Sequence, residues 1–123
     1  MEILRQALQI IVALGLLNVW LLRAGKATPY RGGDANSMRE EFEAYGLPVA
    51  MMYLVGGLKI CIALALLAGV WMSALVVPAA AVLIVLMIGA FTMHLKVKDP
   101  MVRAVPALLM LGMAIAITVL SQV

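Results

Sequence analysis

The sequence predicts an all-α integral membrane protein: a four-helix bundle with a short interfacial helix between its first two spans. Of the 123 residues, 66% are hydrophobic and only 12% are charged, whereas soluble domains are about half apolar and a quarter charged. The apolar residues form four runs, each near the roughly 20 residues that a helix needs to cross a bilayer. These runs are continuous and rich in Leu, Ala and Met, without the alternation typical of membrane β-strands.

The four runs predict the spans of one transmembrane domain that covers residues 1–123. They lie at about residues 3–22, 48–71, 75–94 and 101–120. The first run is too long for a signal peptide and no small-residue cleavage site follows it, so we expect it to be retained. The short stretch "WMSA" predicts a tight hairpin between the second and third spans.

The polar segment between the first two spans contains an element of its own. Ser37 and Glu40 have the spacing of a capping box, which predicts a helix at about residues 38–45. Met38, Phe42 and Tyr45 recur at three- and four-residue intervals, which places them on one face of that helix. We therefore expect this helix to lie on the membrane surface with its apolar face buried.

Lysine and arginine are distributed unequally between the two sides of the predicted bundle. The loops after the first and third spans hold Arg23, Lys26, Arg31, Arg39, Lys96, Lys98 and Arg103, whereas the opposite side holds only Arg5. The positive-inside rule then predicts that these loops are cytoplasmic and that both termini lie outside. The expected location is the inner (plasma) membrane of a bacterium, and the basic surplus indicates orientation rather than a nucleic-acid partner.

Lys59 is the only charged residue of the second predicted span. A charge at the bilayer centre costs about 2.5–3.5 kcal/mol on insertion scales, so such a residue usually faces the bundle interior and has a partner. Helical side chains lean toward the N-terminus, which brings the Lys59 ammonium toward the loops and to a depth similar to that of Asn18. A polar pocket that opens toward the loops is therefore predicted.

We expect Asn18, Lys59 and Thr92 to form the walls of this pocket, with His94 at its rim. Glu41, Glu43 and Asp99 are the acids nearest that rim in sequence, and Glu43 or Asp99 is the expected partner of Lys59. Tyr45 completes the set of candidate ligand-binding residues. Two other interpretations need no ligand: Lys59 snorkels to the surface, or it forms a structural ion pair that sets helix register.

The remaining reactive side chains exclude several kinds of site. His94 is the only histidine and Cys61 the only cysteine, so neither a metal site of the usual kind nor an internal disulfide is expected. An interfacial hydrogen bond and a proton-transfer role both stay open for His94. Asp99 and Pro100 have the pattern of a helix start, which predicts that Asp99 caps the fourth span.

Three stretches resemble the DoxX-like family of small four-helix membrane proteins. They are "GGDANSMREEFEAYGLP", "LVGGLKICIALALLAGVW" and "GAFTMHLKVKDPMVRAVPALLMLGM". The resemblance covers nearly the whole chain after about Leu14 and is similar in pattern to the receptor-assembly chaperone NACHO. It implies a four-helix bundle and an association with membrane redox systems, since founding members are associated with thiosulfate:quinone oxidoreductase. Related members often carry glutamate at the place of Lys59, which implies that the site requires a polar group at that depth.

Three functions fit these observations. The first is binding of an apolar or amphipathic ligand, a quinone or a lipid, with polar contacts from Lys59, Asn18 and His94. Quinone is then the one cofactor to consider, and we do not expect an enzyme acting on its own. The second is a non-catalytic partner that assembles or stabilises another membrane protein. The third is a small transporter. Four spans with one interior charge leave little scope for alternating access, so this function would require a homo-oligomer.

Overall fold

The computed structural model describes residues 2–26 and 30–122, and helices make up most of both ranges. Helix α1 (Glu2–Leu17) continues into a short π-helix (Asn18–Leu22). The surface helix α2 spans Met38–Ala44, and the long helices α3, α4 and α5 span Val49–Ala68, Val76–Lys96 and Met101–Leu120. Short 3₁₀ turns lie at Gly32–Asp34 and Ser73–Leu75. The all-α prediction is confirmed, and four helices of the described part are long and apolar enough to cross a membrane.

The long helices form a closed bundle in which α1 packs against α3 and α5, while α4 packs against the same two helices. Its core combines larger residues such as Leu66, Leu83 and Ile117 with the fully buried alanines Ala63 and Ala80. Small residues let the helix backbones approach closely, which matters where lipid provides no hydrophobic drive between helices. Large apolar side chains on the outside of the bundle, among them Leu14, Val85 and Leu109, are exposed, as a hydrocarbon environment permits.

Gln9 is a fully buried polar residue of α1, although no motif of the sequence indicates a role for it. Its side-chain Nε2 donates a hydrogen bond of 2.9 Å to the main-chain oxygen of Leu66, in the last turn of α3. The last carbonyls of a helix have no partner within it. The Val70 N–H, which would bond the Leu66 oxygen if the helix continued, donates to the Leu67 oxygen. Gln9 therefore caps the end of α3 from a neighbouring helix.

Two parts of the chain meet at one end of the bundle: the described residues 23–26 and 30–48 after the first span, and residues 97–100 between α4 and α5. We call this end the loop face. The Gly33 N–H donates to Asp99 Oδ1 at 3.0 Å, and Lys96 Nζ donates to the main-chain oxygen of Tyr45 at 2.8 Å. Gly33 has a φ of +61°, a conformation that side chains other than glycine rarely adopt. These bonds attach the long loop to the turn between α4 and α5.

The helix ends at the loop face differ in how they are capped. Ser37 precedes α2, and its hydroxyl accepts the Glu40 N–H at 3.2 Å. The N-cap position of α5 is Pro100, which makes no side-chain cap. The prediction that Asp99 caps this helix is therefore wrong, because its carboxylate is engaged by other groups of the loop face.

Candidate functional site

A buried carboxylate of the surface helix, Glu41, organises the first part of the loop face. Its Oε2 accepts a hydrogen bond from Arg31 Nη1 at 3.1 Å. Its Oε1 accepts the Tyr45 hydroxyl at 2.6 Å and the Gly32 N–H at 3.2 Å. Arg31 is only 5% exposed. It also donates to main-chain oxygens just beyond the first span, those of Arg23, Ala24 and Lys26. One buried ion pair thus joins the surface helix to the end of the first span.

Tyr45 serves as a hydrogen-bond donor in this network. Burial, the negative charge of Glu41 and the hydrogen bond to that carboxylate together raise the pKa of Tyr45 above its ordinary value. The phenol therefore keeps its proton at neutral pH and donates a hydrogen bond to Glu41. Gly32 makes room for the ring, because a Cβ atom at that position would overlap it.

Asp99 organises the second part of the loop face. Its Oδ2 lies 2.8 Å from His94 Nδ1, and its Oδ1 accepts Arg103 Nη1 at 2.9 Å as well as the Gly33 N–H. Burial disfavours the charge of Asp99, but the hydrogen bonds from Gly33, His94 and Arg103 outweigh burial and lower its pKa. The carboxylate is therefore an acceptor, so His94 carries a proton on Nδ1. The His94 and Tyr45 rings meet edge to face at 5.9 Å, which brings the two parts into contact.

Lys59 lies against an aromatic ring rather than a carboxylate. Its Nζ is 5.3 Å from the centroid of the Trp20 ring, within the distance of a cation–π interaction. Trp20 packs so closely on α3 that a Cβ atom at Gly56 would lie 2.6 Å from it, and it also contacts Phe42 edge to face. Among the described residues no carboxylate forms an ion pair with Lys59, and Glu41 acts on it only through longer-range electrostatics.

A cleft of about 560 Å³ opens beside Trp20, within the range of about 300–1,000 Å³ that is usual for ligand sites. It lies between the end of the first span, the start of α2 and the first half of α3. Its lining residues are Trp20, Ala24, Gly25, Ser37, Met38, Arg39, Met52, Tyr53, Gly56, Gly57 and Ile60. From Met52 to Ile60 the cleft follows α3 for roughly 12 Å, at 1.5 Å per residue.

The predicted pocket residues do not form one site. Lys59 contacts Trp20, which forms one wall of the cleft. Tyr45, His94 and Asp99 instead lie together in the loop-face network. Asn18 begins the π-helix and is half-buried, without a side-chain hydrogen bond to the described residues. Thr92 is exposed on the outside of the bundle, where its hydroxyl donates to the Ile88 oxygen at 2.8 Å.

The expected pairing of Lys59 with Glu43 or Asp99 is wrong. The Glu43 side chain is 63% exposed, and its Oε1 lies 3.8 Å from Arg39 Nε. The Asp99 carboxylate instead accepts hydrogen bonds from His94 and Arg103. Residues two apart on a helix point to nearly opposite sides. The helix α2 therefore turns Glu41 inward and Glu43 toward the surface.

Two important residues were missed by sequence reasoning. Trp20 near the end of a span is typical of the aromatic belt at a membrane interface, so nothing local indicated that its ring would meet Lys59. Arg31 sits in the stretch "PYRGGD", which has the composition of a turn. The two glycines after it were a usable signal, since Gly32 leaves space for the Tyr45 ring.

Comparison with known protein families matches residues 12–117 to the DoxX-like family. This range contains the cleft, Lys59 and both parts of the loop-face network. No curated protein and no solved structure matches the chain, so the similarity in pattern to NACHO stays a prediction. Together with the four apolar helices of the described residues, the match to most of the chain establishes that the protein belongs to the DoxX-like family and is a small integral membrane protein.

Proposed function

We propose that the protein binds an amphipathic ligand, a lipid or a quinone, in the cleft beside Trp20. The observation that carries this proposal is the order of polarity along the cleft. Ser37 and Arg39 lie at its mouth, near the loop face, whereas Met52 and Ile60 line it along the membrane-spanning helix α3. In a membrane leaflet, an amphipathic molecule also has its polar head at the surface and its apolar tail in the hydrocarbon. It can therefore enter the cleft laterally from the leaflet and keep its orientation.

Two adjacent glycines of α3 shape the cleft in different ways. At Gly56 the space is filled by Trp20, whose ring forms one wall. At Gly57 an added Cβ atom would meet nothing within 4 Å, although Gly57 also lines the cleft. The glycine pair thus seats the aromatic wall on one side and leaves room for a ligand on the other.

Among the residues predicted from sequence, Lys59 contacts Trp20, which forms a wall of the proposed site. It stabilises the position of Trp20 and supplies a positive charge behind that wall. Tyr45, His94 and Asp99 support the site indirectly, because they hold the surface helix that forms one side of the cleft. The excess of Lys and Arg at this end supports a cytoplasmic loop face, and we propose a bacterial inner membrane as the location.

Filling the cleft is expected to block ligand binding without disturbing the fold. The Gly57→Leu variant places an apolar side chain in open space, so we expect binding to weaken at least about tenfold, or roughly 1.4 kcal/mol, with little change in melting temperature. Binding of ubiquinone and of phospholipid is measured separately by native mass spectrometry and by the ligand-induced rise in melting temperature. Solvent extraction of the purified protein identifies any molecule that co-purifies.

The Gly89→Leu variant is the matched control, because Gly89 is exposed on α4 and also has nothing within 4 Å of an added Cβ atom. It should bind both ligands as the parent does. Equal binding by the Gly57→Leu variant and the parent would show that the cleft is not the site. If neither ligand binds the parent and none co-purifies, the proposed function is wrong, and a role as an assembly partner becomes the better hypothesis.

A further inference from the structure

The charges around the cleft indicate which class of amphipathic ligand it binds, an inference that rests on the proposed function. We infer that the cleft binds an anionic phospholipid from the leaflet at the loop face. Its phosphate contacts Arg39 at the mouth, and one acyl chain lies along α3 beside Gly57 and Ile60.

Among the described residues that line the cleft, Arg39 is the only charged one. It lies 3.8 Å from Glu43, and the two side chains are 66% and 63% exposed. Exposed pairs of this kind contribute only about 0–1 kcal/mol, so Glu43 competes weakly for the guanidinium. A guanidinium matches a phosphate with two parallel hydrogen bonds, which suits Arg39 to a phospholipid headgroup at the membrane surface.

Among the described residues, the charges behind the cleft are unequal in sign. Arg31 and Lys59 are both cations, and Glu41 is the carboxylate that acts on both of them. The Glu41 oxygens are already engaged by Arg31, Tyr45 and Gly32. In the second part of the network, Asp99 is engaged by His94 and Arg103. One positive charge, that of Lys59, is thus left beside Trp20 without a carboxylate of its own among the described residues.

This excess charge favours an anion at the mouth of the cleft. Trp20 rather than Lys59 lines the cleft. Lys59 still contributes to the electrostatic potential at the mouth of the cleft, because Coulomb interactions reach further in a weakly polar environment than in water. Arg23 and Lys26 are exposed and flank Ala24 and Gly25 of the lining. Glu40 and Glu43 point to the exposed side of α2. A neutral quinone or a zwitterionic lipid leaves the Lys59 charge unbalanced, whereas a lipid with net negative charge balances it.

The test compares phosphatidylglycerol, phosphatidylcholine and ubiquinone as ligands of the full chain in detergent, by native mass spectrometry and thermal shift. We expect phosphatidylglycerol to bind at least tenfold more tightly than the other two, and this preference to shrink at high salt. Arg39→Gln should reduce phosphatidylglycerol binding to the level of phosphatidylcholine. Lys59→Met should also lower the preference, and in both variants the loss of phosphatidylglycerol binding should exceed any loss of phosphatidylcholine binding.

Lys98→Gln is the matched control, since it removes one positive charge from an exposed position of the loop face outside the cleft lining. It should keep the full preference for phosphatidylglycerol. A loss as large as that of Arg39→Gln would indicate general surface attraction and overturn the inference. Equal binding of all three ligands, abolished in each case by Gly57→Leu, would also overturn it while leaving the proposed function intact. Absence of any binding would remove the proposed function itself.

Discussion

Replacing Glu41 by alanine is expected to destabilise the protein by about 3–5 kcal/mol, the usual loss when one partner of a buried ion pair is removed. The variant leaves the Arg31 guanidinium, which is 5% exposed, without its carboxylate. It also removes the acceptor of the Tyr45 hydroxyl and of the Gly32 N–H. The surface helix then loses its main attachment to the end of the first span.

The measurement is equilibrium unfolding in mixed micelles with a rising fraction of denaturing detergent, followed by tryptophan fluorescence. Glu43→Ala is the matched control on the same helix, because its exposed pair with Arg39 is worth at most about 1 kcal/mol. Glu41→Gln retains an acceptor for Tyr45 and should fall between the two. If Glu41→Ala is no less stable than Glu43→Ala, the ion pair with Arg31 does not hold the loop face together.

Replacing Asp99 by asparagine is expected to lower stability by about 1.5–3 kcal/mol at neutral pH, the range for hydrogen bonds to charged groups. Asparagine keeps the shape of the side chain and one acceptor. It loses the negative charge that faces His94 and Arg103 and turns a donor group toward one of its present partners. The attachment of the long loop to the turn between α4 and α5 should weaken as a result.

The loss should depend on pH in a defined direction. The pKa of Asp99 is lower in the folded protein than its ordinary value, because hydrogen bonds from Gly33, His94 and Arg103 outweigh burial. A group with a depressed folded pKa stabilises the protein above its unfolded pKa, about 3.9 for aspartate. That contribution is lost as pH falls through the lower folded value. The stabilities of parent and Asp99→Asn should therefore differ near pH 7 and converge in acid.

Melting temperatures from pH 7 downward for the parent and the variant measure this difference directly. Lys98→Gln, adjacent in sequence but with a side chain on the surface, is the control and should follow the parent at each pH. Parallel curves for the parent and Asp99→Asn, with a constant gap into acid, would contradict the assignment of the stabilising charge to Asp99.

The number and order of the spans could be predicted from the sequence. In a bilayer every backbone polar group must be paired within the segment, so a continuous apolar run of sufficient length indicates a helix whatever surrounds it. The start of the surface helix was also readable, because the Ser37 cap involves neighbours only three residues apart. The polar character of the loop face followed from the uneven distribution of Lys and Arg.

The site itself depended on the tertiary structure. Whether Glu41 or Glu43 faces inward depends on the rotation of α2 about its axis, and the partner of Lys59 depends on where the first span ends against α3. Gln9 of α1 caps the C-terminal end of α3, a contact that no local sequence pattern indicates. Local spacing determines which residues share a helix face, whereas the contacts across helices depend on how the bundle packs. The sequence was thus sufficient to predict a four-span membrane protein with a lysine inside its second span. The contact of this lysine with an aromatic ring depends on the packing of Trp20 on Gly56.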